Sequence, residues 1–306
     1  MNKDDPHNAS EGAGSTTQSS ATQSSATLYL PPHSLASCVI TGVERDTRER
    51  ALREEQRFNF FPAFPFCTIS WFFEGASYLV DPSNPIPSSE CPVPRLSFAG
   101  PQTKPMASWN PGVVHALTVG IYPEAWKQLV ECDLESLVDK TLPLEDVASG
   151  ALLDLCKEVL ARPPIKTHFQ QFMEGLGPIW ISSRAPRLSA YHRLSDWTHE
   201  LATKAASSGT GKSVRQAQRR IKSWTGQNQR DLQIFARNEV LFEKTLAAGL
   251  TGNLDLAQIA LDAGFSDQAH MGRSVRKLTG MSPAKLNQLI ATAEAFWCYR
   301  LIGERF

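Results

Sequence analysis

Gln268, Arg273, Arg276 and Lys277 bring an amide and three cations together within ten residues, with His270 among them. Arginine can bond bidentately to guanine O6/N7 and glutamine to adenine. Lysine and arginine also neutralise phosphates, which fixes register without reading sequence. Arg215, Gln218, Arg219 and Lys222 offer the same chemistry at i, i+3, i+4 and i+7, one face of a helix. A charged stripe is ordinarily just solvated, but this one recurs. Arg219-Arg220-Ile221-Lys222-Ser223-Trp224-Thr225-Gly226 matches Arg273-Ser274-Val275-Arg276-Lys277-Leu278-Thr279-Gly280 at a constant offset of 54. A repeated unit with this polar face points to two readers of a nucleic acid in one chain. On that reading Arg215, Gln218, Arg219, Gln268 and Arg273 face base edges, while Lys222, Arg276 and Lys277 hold phosphates.

Such side chains need rigid helices behind them. Leu256, Ile259, Ala260 and Ala263 share one helical face, and Gly264 then permits a sharp turn that Phe265 fills from inside. Ser266 is expected to cap the next helix, with Asp267 in its first turn. Met271, Val275 and Leu278 form the buried stripe of that helix, and Gly280 ends it before an extended Ser282-Pro283. Helix, glycine turn and helix make the unit that places a recognition helix in a major groove.

The run Ala263-Gly264-Phe265-Ser266-Asp267-Gln268, with Arg273 and Thr279-Gly280-Met281-Ser282-Pro283, closely resembles the second DNA-reading motif of AraC/XylS-family transcription regulators. Met271 and Val275 stand where that pattern usually carries phenylalanines. The resemblance implies a bacterial, cytoplasmic, sequence-specific regulator acting at the nucleoid, with duplex DNA as its partner. It also implies a small-molecule effector, homodimerisation and contact with RNA polymerase as further partnerships. It brings His270, and the backbone around Gly272, towards the bases as well.

The first copy departs from the family pattern before its recognition helix. A helix from about Leu194 to Ala206, with Trp197 and Leu201 on its packing face, is followed by the long stretch Ser207-Ser208-Gly209-Thr210-Gly211-Lys212. Between the copies, Gln229 to Ala248 reads as one helix with Leu232, Phe235 and Phe242 turned inward. About 20 residues at 1.5 Å each span about 30 Å, close to the roughly 34 Å between successive major-groove faces.

The N-terminal half has a different texture. Cys67, Ile69, Trp71 and Phe73 alternate with smaller residues as a strand, and Glu74-Gly75-Ala76 is expected to close a hairpin into Ser77–Val80. Arg95–Phe98 and Val113–Val119 are further strands, and nine prolines from Pro62 to Pro105 exclude long helices there. Phe98-Ala99-Gly100-Pro101-Gln102-Thr103 followed by Val119-Gly120-Ile121-Tyr122-Pro123 is similar to the cupin-like sensor domain of some AraC-type regulators. Glu124–Cys132 and Ala151–Leu160 have helical spacing and form a connector, either a dimerisation element or a cover for the sheet.

A metal-dependent cupin enzyme with an appended DNA module is the rival from another class. It needs two or three imidazoles and a carboxylate on one ion. The seven histidines, at 7, 33, 115, 168, 192, 199 and 270, contain no His-x-His pair. Only His115 falls in a central strand, where a lone imidazole is usually a satisfied core group. No Gly-x-Ser-x-Gly, phosphate loop or Rossmann glycine run is present. No catalytic residue, metal ligand or cofactor is therefore assigned. A regulator whose N-terminal half only dimerises is the nearer alternative.

Composition bounds the rest. At 306 residues about two domains are expected, and 42% apolar content suffices for packed cores. No apolar run approaches the roughly 18 residues of a membrane span, and no hydrophobic signal region opens the chain. Six cysteines without a Cys-x-x-Cys pair fit reduced thiols. The net charge of zero hides a split: residues 184–306 carry 18 Lys+Arg against 10 Asp+Glu, a net of +8, and residues 1–183 carry 13 against 21, a net of −8. Only the C-terminal half has the charge of a polyanion binder. The expected fold is α+β. Residues 1–27 form a disordered Ser/Thr/Gln-rich arm, and 28–183 a cupin-like barrel or sandwich with its helical connector. Residues 184–306 form an all-α domain of two helix-turn-helix units joined by a long helix, expected to fold alone.

Overall fold

The computed structural model describes residues 25–183, 193–209, 213–251 and 256–304. Among them the N-terminal half forms nine strands. These are β1 (Ala26–Tyr29), β2 (Val39–Asp46), β3 (Phe58–Phe61), β4 (Cys67–Glu74), β5 (Tyr78–Val80), β6 (Leu96–Ala99), β7 (Met106–Trp109), β8 (His115–Ile121) and β9 (Thr141–Pro143). The strands pair antiparallel in two sheets, ordered β1-β2-β8-β4-β6-β9 and β3-β7-β5. Strands β4 and β8 are central, and most of their inward residues are apolar. Cys67, Ile69 and Trp71 of β4 and Leu117, Val119 and Ile121 of β8 are all fully buried.

Two sequence expectations change here. The segment after β4 does not return as a hairpin, because β4 pairs with β6 and β8 while β5 joins β7 in the other sheet. Gly75 makes this crossing possible. Its φ is +78°, and a Cβ there would lie 2.1 Å from the Val113 carbonyl oxygen, so neither the torsion nor the space admits a side chain. The first described residues also fall inside the expected arm. Ser25 and Ala26 are buried, and Ala26 opens β1 opposite Arg45. The rest of that arm, residues 1–24, lies outside the described residues.

Helices α1 (Pro123–Leu129), α2 (Gly150–Ala161) and α3 (His168–Ser182) follow the strands. They pack on the large sheet: Trp126 stacks on Phe98 at 4.5 Å, and the Trp71 indole donates to the Cys156 carbonyl at 2.9 Å. Phe169, Phe172, Met173 and Leu176 give α3 its buried stripe.

The C-terminal half is helical: α4 (Leu194–Ser207), α5 (Val214–Thr225), α6 (Gln229–Thr251), α7 (Leu256–Asp262), α8 (Gln268–Thr279), α9 (Pro283–Thr292) and α10 (Trp297–Glu304). Ser282 is extended, as expected, and serves as the N-cap of α9, with Pro283 as its first residue. Proline suits that first position, where its missing N–H costs no bond.

The two halves do not have separate cores. Trp197, Leu201, Ile221 and Leu232 belong to the same buried cluster as Trp71, Phe98 and Trp126. Phe265, Met271, Val275 and Phe296 cluster with Phe58, joined by the partly buried Phe60 and Trp109. Polar bonds cross the same seam. The Trp197 indole donates to Glu124 at 2.7 Å, the Ala63 amide to the Leu278 carbonyl at 2.8 Å, and the Trp297 indole to Asn59 at 2.8 Å. Arg45 of β2 pairs with Glu294 at 2.8 Å and lies over the Trp297 ring at 4.9 Å. Residues 184–192, where the domain boundary is expected, lie outside the described residues.

Candidate nucleic-acid interface and the N-terminal pocket

The internal repeat reappears as local geometry. Helices α5 and α8 begin at N-caps Ser213 and Asp267 and end at left-handed glycines Gly226 (φ +71°) and Gly280 (φ +75°). Thr225 and Thr279 each donate a side-chain hydrogen bond at 2.8 Å to the carbonyl four residues earlier, Ile221 and Val275. Each also accepts at 3.2 Å from the amide two residues on. The same Thr-Gly stop is thus built twice at an offset of 54.

The cap of α8 corrects one expectation. Asp267, not Ser266, is the N-cap, accepting from the His270 amide at 2.6 Å. That amide and the Ser266 hydroxyl hold the Asp267 carboxyl below its ordinary range. Aspartate wins because its charge also complements the positive end of the helix dipole. Ser266 instead bonds Asp267 and His270 Nδ1, at 3.0 and 3.1 Å.

Behind α8, Gly264 turns at φ +79° and Phe265 is buried, as are Met271, Val275 and Leu278. Asn238 of α6, itself buried, donates to Ser274 at 2.8 Å and fixes α8 against the long helix. The outer face presents Gln268, Arg273, Arg276 and Lys277, all exposed. Lys277 pairs with Asp231 of α6 at 2.7 Å. His270 is half-buried, edge-on to Phe265 at 5.4 Å. Its ring is engaged in the turn by Phe265 and Ser266.

On α5, Arg215, Gln218, Arg219 and Lys222 are exposed, while Ile221 is buried. One edge of this helix meets the N-terminal half. Lys222 pairs with Glu135 at 2.6 Å, Lys127 donates to the Ser223 carbonyl at 2.8 Å, and Gly226 fits against Leu134 and Val138. Of the stretch from Ser207 to Lys212, residues 210–212 lie outside the described residues.

Residues 207–288 match the helix-turn-helix domain family. The C-terminal region is an AraC-type helix-turn-helix domain. Among solved structures, an apo variant of ToxT from Vibrio cholerae strain SCE256 is similar at 9% identity and TM-score 0.36, covering 85% of this chain and 95% of that one. ToxT from Vibrio cholerae O395 is similar at 11% and 0.35, covering 78% and 95%. Unsaturated fatty acid-bound wild-type ToxT from strain SCE256 is similar at 13% and 0.32, covering 77% and 96%. Likeness this loose carries no side-chain role across. No curated protein matches the chain.

The N-terminal half holds a second site that local spacing did not reveal. His115 is not a lone imidazole. Its Nε2 lies 2.8 Å from Glu44 Oε1, and His168 Nδ1 lies 3.9 Å from the same oxygen. Glu44 and His115 are diagonal neighbours on one face of the β2–β8 pair, where Glu44 opposes Leu117 and Asp46 opposes His115. Helix α3, folding back over the sheet, delivers His168. The Tyr29 hydroxyl donates to Glu44 Oε2 at 2.6 Å.

Burial alone would raise the Glu44 carboxyl, but hydrogen bonds from His115 and Tyr29 and the nearby imidazoles outweigh it and lower it. Burial, then repulsion from His115, lowers the His168 imidazole. The three groups floor a pocket of about 650 Å³ whose rim includes Asp46, Arg48, Arg162 and Lys166. The six cysteines are free thiols. No helix among the described residues is long and apolar enough to cross a membrane.

Proposed function

We propose that this chain is a bacterial transcription regulator that reads duplex DNA through α8 and α5 and takes its signal in the N-terminal half. The observation that carries the reading is the twice-built helix, exposed on one face with Arg215, Gln218 and Arg219 and again with Gln268 and Arg273. Those five residues read base edges. Lys222, Arg276 and Lys277 hold phosphates, the two lysines after leaving Glu135 and Asp231. His270 supports the turn and approaches the DNA from it.

The N-terminal pocket suits a ligand, since its volume lies in the range of small-molecule sites. Contact between α5 and the Leu134–Leu137 turn gives a route from that half to a recognition helix. Homodimerisation, contact with RNA polymerase and action at the nucleoid belong to the same proposal. Selection of bound sequences from a random DNA pool with full-length protein tests it. Two recurring blocks one helical turn apart are expected; enrichment of no sequence defeats the proposal.

A further inference from the structure

We propose that Glu44, His115 and His168 bind a divalent first-row transition-metal ion at the floor of the N-terminal pocket. One carboxylate oxygen and one nitrogen of each ring lie within 4.8 Å of one another. Bonds of about 2.0–2.2 Å to a tetrahedral centre put donor atoms about 3.3–3.6 Å apart. The separations of 2.8 and 3.9 Å from the Glu44 oxygen straddle that distance, and the two imidazole nitrogens lie within 4.8 Å of each other, so side-chain rotations bring the three donors onto one ion.

The donor set selects the class of ion. Two imidazoles and one carboxylate suit zinc, iron(II) and their neighbours, whereas calcium and magnesium prefer oxygen ligands throughout. The surroundings supply what such a site needs beyond its ligands. Tyr29 fixes the second Glu44 oxygen and is itself stacked on Phe169 at 5.1 Å. Phe73 lies flat on the His168 ring at 3.6 Å. Asp46, the nearest competing carboxylate on β2, is taken up by Arg48 at 2.6 Å, while the partners of Glu44 are Tyr29 and the imidazoles. The three donor side chains are 9–16% exposed, and the pocket above leaves room for water or a small ligand on the ion.

This site stands independently of the DNA reading, because binding of the ion is measured without DNA. Full-length protein stripped with a chelator is titrated with Co²⁺, followed by visible d–d absorption, and then with competing Zn²⁺. One equivalent of cobalt, displaced by zinc, is expected. Glu44→Gln and His168→Gln should each weaken binding at least tenfold, and His199→Gln, at an exposed position, should not. Thermal melts without metal establish that the variants are folded. If either unfolds, Tyr29→Phe serves instead: it keeps all three donors and should still weaken binding about tenfold through loss of the Glu44 hydrogen bond. Absence of cobalt uptake by the wild type overturns the proposal. So does uptake that is unchanged in the folded variants, which would place the ion on surface groups such as the exposed Cys91.

Discussion

Arg273 and Phe265 sit eight residues apart and do opposite work. Arg273 is exposed on the outer face of α8, so Arg273→Ala should leave folding intact and cost about 1–3 kcal/mol of specific binding. Affinities for a selected site and a scrambled duplex check this. An equal loss on both would make Arg273 a phosphate contact. Phe265 is 3% exposed behind the Gly264 turn, and truncating a packed phenylalanine costs about 3–5 kcal/mol. Phe265→Ala should therefore lower the thermal midpoint clearly, with any DNA-binding loss following from unfolding.

At the scale of elements, α5 and α8 share caps, stops and polar faces but not surroundings. Lys222 on α5 is held by Glu135 of the N-terminal half, whereas Lys277 on α8 is held by Asp231 of the neighbouring α6. Glu135→Gln should release Lys222 for a phosphate. DNA binding should then tighten, whereas Lys222→Ala should flatten the log–log dependence of affinity on salt by about 0.9, one counterion's worth. Anisotropy titrations at several salt concentrations measure it; an unchanged slope would show that Lys222 reaches no phosphate. The pair is half-exposed, so it is expected to matter little for stability itself.

For the whole molecule the shared core decides how the chain behaves. A fragment beginning at Arg193 exposes Trp197, Phe296 and Trp297, all buried in the complete chain. Each such side chain is worth about 1.5–3 kcal/mol, against a typical total stability of about 5–15 kcal/mol. The fragment should melt well below the full chain or not fold, which circular dichroism can decide. Acid should loosen the same seam. Burial would raise the Glu294 carboxyl, but Ser25 and Arg45 bond to it and hold it below the usual range. A carboxyl lowered in the folded state contributes stability above its ordinary value of about 4.3. That contribution fades as pH falls through the lower folded value. Melting temperature should thus drop on acidification below about pH 4, and less steeply in Glu294→Gln.

The reading helices were legible in the chain itself because everything that defines them is local. Gly264, Phe265, the stripe of Met271, Val275 and Leu278, and the Thr-Gly stops at an offset of 54 all act within a few turns of helix. The alternation that buries Cys67, Ile69 and Trp71 was legible for the same reason. Sequence spacing carried no sign of Glu44, His115 and His168 as a group. Sheet register brings the first two together, and the docking of α3 adds the third. Nor did the +8 and −8 halves, which suggested two independent units, reveal that apolar residues of each complete the core of the other. Which strand pairs with which, and which helix lies on which sheet, is settled by burying distant apolar faces together. Those long-range contacts, rather than any local preference, fixed the pocket and the seam beside the recognition helix.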